Sequence, residues 1–262
     1  AAIATVLSQI LSASFVLYFL RKRTELKIRV LSPEEIHACG KRAKNIISLG
    51  TAGFIMQLTN SLVTICCNNV LSVTSGDLYI SVMTIVSSIR QIIDTPIHAV
   101  TEGSSPVISY NYGARRPKRV FQAGVTMGII AILYTLLAWS VILFVPRFLI
   151  GIFSSDPTLI ADAVPALKLY FGAFVFQALQ YVGQTMFKSL GKKKFAIFFS
   201  LLRKVIIVVP LTYIFPYVFH MGSDGVFLAE PVSNVIGGSI CFIVMLCTVI
   251  PELKRMEKEN LR

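Results

Sequence analysis

Four residues spaced four apart, Arg90, Asp94, His98 and Glu102, stand inside one long apolar stretch of this chain. On a helix of 3.6 residues per turn each step advances about 400°, so the row drifts some 40° per step and keeps to one broad face. An acid, an imidazole and an acid on successive turns can pass protons, and ionisable groups inside an apolar span usually face a cavity or a bundle interior. The same row has a plainer reading. Arg90 and Asp94 neutralise each other one turn apart, and Glu102 sits close enough to the cytoplasmic end to pair with a loop Arg. His98 and Glu102 also have the spacing of a metal pair, but no second His and no His-Glu-x-x-His string accompanies them. No metal site and no catalytic residue is therefore assigned.

Two milder rows accompany the first. Gln57, Asn60, Thr64 and Asn68 recur on one face of the 46–73 stretch, and Gln177, Gln180 and Gln184 do so on 164–187. Amides of this kind either tie helices together or line a polar path, and three such rows favour lining. Tyr181 and Met56 beside them suit a pocket that adapts to varied ligands.

The elements that carry these rows follow from composition. The chain has 262 residues, 55% of them hydrophobic and only 15% charged, with a mean hydropathy of +0.72. Soluble domains carry about a quarter charged residues, so a water-soluble globule is excluded. Seven apolar stretches, about 1–20, 46–73, 78–109, 120–145, 164–187, 195–218 and 226–250, are each long enough to cross a bilayer core of roughly 30 Å. Open sheet edges cannot face lipid, so the expectation is an all-α polytopic membrane protein with seven spans. The net charge of +12 does not indicate nucleic acid, because the charges lie between long apolar runs. Five cysteines with no metal-ligand spacing read as small apolar residues.

Basic residues give the direction. Twenty of the 25 Lys and Arg fall in 21–44, 113–119, 188–194 and the tail from 251, all on alternate connections. The opposite connections carry only Arg147. That asymmetry places the first set, with the C-terminus, in the cytoplasm. Ser32, Pro33, Glu34 and Glu35 form a capping box that opens a short interfacial helix within the 21–45 connection. Pro96 is expected to break the 78–109 helix between Asp94 and His98. Glu230, just before Pro231, reads as interfacial, and Arg203 as able to snorkel toward the cytoplasmic side. The chain opens on Ala1 inside an apolar run, and upstream sequence is expected to be missing.

Particular strings then stand out. Gly103, Pro106, Asn111, Tyr112, Gly113 and Ala114 are followed by a basic connection. Further along come Ile152 and Phe153 with Asp156 and Pro157, then Leu201, Leu202 and Arg203 with Pro210 and Leu211. Gly222, Gly225 and Val226 follow, with Ala229 and Pro231. In order and spacing these resemble the MATE (multidrug and toxic compound extrusion) family, with the MepA-like branch nearest in character. The resemblance implies twelve spans in two six-helix lobes. On that pattern 1–20 is the last helix of a first lobe, 21–45 the inter-lobe connection, 46–250 the second lobe and 251–262 a cytoplasmic tail.

It also implies a secondary-active efflux antiporter of the cell (inner) membrane. Such a protein has no organic cofactor and exchanges small, often cationic, drug-like molecules for H⁺ or Na⁺. Its partners would be the bilayer, the substrate and the missing N-terminal lobe. Two departures qualify the match. Asn60 stands where one branch has a cation-coupling carboxylate, so that branch's sodium site is not carried over. Glu102 stands where the family often has Gln, and Ser105 where Gln usually precedes the Pro. A lipid or lipid-linked sugar flippase of the same superfamily is the alternative; only Arg90 and Arg203 read as well inside spans, few for a pyrophosphate cavity. An intramembrane enzyme would need a nucleophile–base or metal constellation, and none is written in the chain.

Overall fold

The computed structural model describes residues 2–23 and 33–260. The capping box on Ser32 lies outside the described residues, as do the side chains of Lys41, Arg42, Lys44 and Met56. The chain divides into two units, Ala1–Ser48 and Leu49–Arg262. In the first, α1 (Ala2–Arg23) exposes Ile3, Leu11 and Phe15, the surface of a helix suited to lipid. α2 (Pro33–Thr74) runs across the division.

The second unit continues with α3 (Asp77–Gly113), α4 (Pro117–Phe144), the short α5 (Pro146–Gly151), α6 (Pro157–Tyr170) and α7 (Phe174–Ser189). Next come α8 (Lys193–Leu201) and a first π-helical turn, Leu202–Val208, which leads into α9 (Val209–Tyr217). α10 (Gly222–Ser233), a second π-helical turn, Asn234–Gly238, and α11 (Ser239–Asn260) close the unit. The fold is all-α, with no strand among the described residues.

Among these residues Pro117–Phe144, Lys193–Tyr217 and Gly222–Asn260 are long and apolar enough to cross a membrane. Pro157–Tyr170 and Phe174–Ser189, bent by 50°, add a fourth span if taken together. That measure does not reach the seven spans expected from the sequence. α3 has the length, 37 residues, but Ser, Thr and charged side chains dilute its apolar character.

Pro96 does not break α3, which runs through both Pro96 and Pro106. A proline removes a backbone donor, and neighbouring helices can satisfy the carbonyls it disturbs. The carbonyl left without its helical donor is that of Ile92; at the next residue the Tyr134 hydroxyl, from α4, donates to the Ile93 carbonyl at 2.8 Å and ties this turn of α3 to its neighbour.

Two apolar clusters hold the bundle. Leu71, Val86, Phe171, Phe174 and Phe227 belong to one, and Ile108, Met127, Phe187, Cys241 and Val249 to the other. The hydrophobic effect adds little between helices in lipid, so dispersion contacts and polar ties carry the packing. At the basic end, acids of α11 tie the connections together. Glu252 accepts from the Tyr112 hydroxyl at 2.5 Å and pairs with Lys192, while Lys118 meets Glu257 at 3.2 Å. The 113–119 and 188–194 connections and the tail therefore lie at one end.

At the other end Asp156 caps α6. Its Oδ1 accepts from the Thr158 backbone N–H at 2.9 Å and from the Thr158 hydroxyl at 2.7 Å. The hydroxyl bond, then the backbone bond, hold the carboxyl below the usual aspartate range. A carboxyl depressed by folding stabilises above its unfolded pKa, and that contribution disappears as pH falls through the folded value. Asp156→Ala is expected to lower the melting temperature at neutral pH, with the difference from wild type closing in acid below the usual aspartate range. A difference that persists there would assign the loss to something other than the ionised cap.

Candidate functional site

Between the two apolar clusters lies a polar layer. On α3 the apolar cores flank Asp94, since Ile93 packs with the first cluster and Ile97 belongs to the second. On α7 the same change falls between Phe174 and Ala178, leaving Gln177 at the join. It falls between Phe199 and Val208 around Arg203 and Lys204, and between Phe227 and Cys241 around Glu230 and Asn234. Four separate stretches thus bring their polar residues to one depth.

A cavity of about 520 Å³ opens on this layer. Gln57, Asn60 and Thr64 contribute from α2, Arg90, Asp94 and His98 from α3. Gln180, Tyr181 and Gln184 contribute from α7, with Arg203 and Lys204 from the first π-turn. Asp94 is almost fully buried. It accepts from Arg90 Nε at 3.2 Å, from the Tyr181 hydroxyl at 3.2 Å and from Gln177 Nε2 at 3.3 Å. Gln177 Nε2 also donates to the Tyr181 hydroxyl at 2.6 Å, so the carboxylate sits in a network rather than a single pair. The His98 ring packs on Tyr181, with centroids 4.5 Å apart.

Arg90 does not belong to Asp94 alone. Its Nη1 reaches Glu230 Oε1 at 2.7 Å and donates to the Tyr170 hydroxyl. Glu230 also accepts from Arg203 Nη1 at 3.0 Å and from Lys204 Nζ at 3.0 Å. Arg203 Nη1 donates further to Asn234 Oδ1. Burying charge is costly unless it is paired, and one carboxylate here serves three cations.

The two π-turns make this arrangement possible. A π-helical turn is wider than an α-turn, so each residue rotates by less and the adjacent Arg203 and Lys204 both point inward. Opposite them the second π-turn presents bare backbone. A Cβ on Gly237 would stand 2.9 Å from Arg203 Cγ, and one on Gly238 only 2.3 Å from the Phe176 carbonyl oxygen.

Several residues singled out in the sequence lie elsewhere. Glu102 is exposed and pairs with Lys188 at the basic end, outside the cavity. The drift along α3 explains it: twelve residues turn Glu102 about 120° from Arg90. An acid–imidazole–acid row facing one cavity is not formed. Asn68 is also outside, because beyond Thr64 the inner face of α2 turns over to Cys67, Val70 and Leu71 in the first apolar cluster. Gln177 acts from behind, through Asp94.

Glu230 is not interfacial, and Arg203 does not snorkel; each is buried against the other. Lys204 belongs to none of the polar rows or motifs of the sequence, yet it lines the cavity. A signal was available: Arg90, Arg203 and Lys204 are cations inside apolar stretches, and such a group needs a carboxylate, which Glu230 could supply. Among the described residues no group of three or more His, Cys, Asp or Glu is placed to hold a metal. A separate groove of about 220 Å³, lined by Phe121, Met186 and Leu253 among others, is wholly apolar and has nothing to orient a ligand.

Against known proteins, the chain is 23% identical over 222 residues to the multidrug export protein MepA of Staphylococcus haemolyticus (strain JCSC1435). That match covers 84% of this chain and 48% of MepA. The fold matches a multidrug resistance MATE family transporter of the MOP superfamily solved facing outward, with a TM-score of 0.84 and 22% identity over 97% of this chain and 56% of that one. A MATE family transporter solved facing inward matches with a TM-score of 0.76 and 23% identity over 97% and 58%. The chain thus spans about half the length of these relatives. The MatE family model matches residues 52–214, more than half of the chain, and with the helical fold and its polar layer this makes the chain a member of the MATE family of multi-pass membrane transporters, which are not enzymes.

Proposed function

We propose that the full-length protein is a secondary-active efflux antiporter that exchanges small organic cations for H⁺ or Na⁺, with this cavity as one wall of the substrate path. The basic connections and the tail would face the cytoplasm, the orientation favoured by their Lys and Arg excess. A lobe N-terminal to this one would supply the opposite wall. The observation that carries the reading is Asp94. It is a carboxylate on a cavity wall at the depth of the polar layer, with a neighbouring arginine engaged by a second acid. A cation and a coupling ion competing for one such carboxylate is the simplest way to link their movements. Relatives described as multidrug exporters favour this over the flippase alternative.

Efflux of ethidium from vesicles carrying the full-length protein, under an imposed pH or Na⁺ gradient, tests the reading. Asp94→Asn is expected to leave the protein folded, since Gln177 and Tyr181 can bond an amide and Arg90 keeps Glu230. Gradient-driven efflux should fall at least roughly tenfold, as befits loss of a charged partner. A well-folded Asp94→Asn protein with normal efflux would remove Asp94 from the mechanism. A protein that no longer folds would make Asp94 structural.

A further inference from the structure

The charges of the polar layer do not balance. Among the described residues Arg90, Arg203 and Lys204 pair with Asp94 and Glu230 alone, which leaves one positive charge in excess when all five are ionised. Asp94 contacts Arg90 but neither of the other cations among the described residues. Arg203 and Lys204 therefore depend on Glu230, whose Oε1 already takes Arg90. Their positions make the imbalance directional. Arg203 and Lys204 line the cavity, whereas Glu230 does not; it lies behind them, beside a smaller space shared with Cys67 and Val226. The guanidinium of Arg203 is also under-used, because its Nε is buried with no partner among the described residues. Seen from the cavity this corner is cationic, and Asp94 gives another part of the wall its negative charge.

We propose that the Arg203–Lys204 corner binds an anionic oxygen group of the transported molecule, a carboxylate, sulfonate or phosphate ester, so that zwitterions are preferred over simple cations. The proposal rests on the reading that this cavity receives the transported molecule. It narrows the substrate class: the cationic centre goes to Asp94 and the anionic group to Arg203 and Lys204. Ammonium and guanidinium donors bond anionic oxygens strongly, and more so away from water. An incoming carboxylate also supplies the negative charge that the layer lacks.

A matched pair of dyes tests it. Rhodamine B carries a xanthylium cation and a free carboxylate, and its ethyl ester keeps the cation alone. Binding of each to the purified full-length protein is read by fluorescence polarisation. Rhodamine B should bind roughly tenfold more tightly than the ester, the worth of a charge-assisted hydrogen bond. In Lys204→Gln that ratio should fall toward one, and in Lys204→Arg it should return. Lys204→Gln removes the excess charge and leaves Glu230 with Arg90 and Arg203, so its folding is checked by melting temperature against wild type. Equal binding of the two dyes by wild type, or a preference that survives Lys204→Gln, would overturn the anion subsite while leaving the cation-efflux reading in place. Failure to bind either dye would instead count against the cavity as a substrate site, and the subsite would fall with it.

Discussion

Glu230→Gln is expected to be the most damaging single polar substitution in this bundle. Its carboxylate is shared by Arg90, Arg203 and Lys204 at 2.7–3.0 Å, and all four side chains are at most 15% exposed. A neutral amide leaves three cations with Asp94 as their remaining acid, in contact with Arg90 alone. Breaking a buried pair by removing one partner costs about 3–5 kcal/mol, because the surviving charge is left buried and uncompensated. The folded yield and the melting temperature in detergent should both drop sharply. Adding Lys204→Gln to Glu230→Gln restores the original net charge and should recover part of the loss. A Glu230→Gln protein that is monodisperse and melts with wild type would show that the cluster holds nothing together.

Gly238→Ala should come next, for a steric reason. The new methyl would lie 2.3 Å from the Phe176 carbonyl oxygen and 3.2 Å from its carbon. Carbon and oxygen in favourable contact stay about 3.3 Å apart, so backbone must move by about 1 Å. Both partners are main chain, and neither has a flexible tip that can step aside. Overpacking of this kind costs about 1–3 kcal/mol. The displacement reaches the site directly, because Gln177 follows Phe176 and donates to Asp94. Gly238→Ala should therefore lower both the melting temperature and gradient-driven efflux. Gly103→Ala is the matched control: its Cβ meets nothing within 4 Å, and stability should be unchanged or slightly raised. Equal behaviour of the two variants would mean that α7 and the second π-turn are not in close contact.

Much of the fold was legible from apolar run length and much of the site from polar spacing. Asp94, His98, Gln180 and Gln184 sit on helix faces that periodicity alone selects, and all four line the cavity. The positions that chain spacing misplaces have separate physical reasons. For Glu230 and Arg203, distance along the chain from the end of an apolar run says nothing of partners on other helices, and Arg90 of α3 stands 2.7 Å from Glu230. For Glu102 the drift of about 40° per four-residue step adds up over three steps and turns it out of the cavity, toward Lys188. The π-turns left no periodic signature, since one inserted residue shifts the register without changing composition.

The sequence by itself determined that this chain is helical and membrane-spanning. Lipid offers the backbone no hydrogen bonds, so long apolar runs have helix as their single-segment solution. It also determined which connections share an end, because basic residues collect on alternate ones. Only the tertiary structure decided which buried charges meet. Arg90, Glu230 and the Arg203–Lys204 pair come from three separate segments. A buried charge is stabilised by whatever stands within a few ångströms of it. That distance is set by packing across helices, where Gly237 and Gly238 let two π-turns and α7 close around the layer.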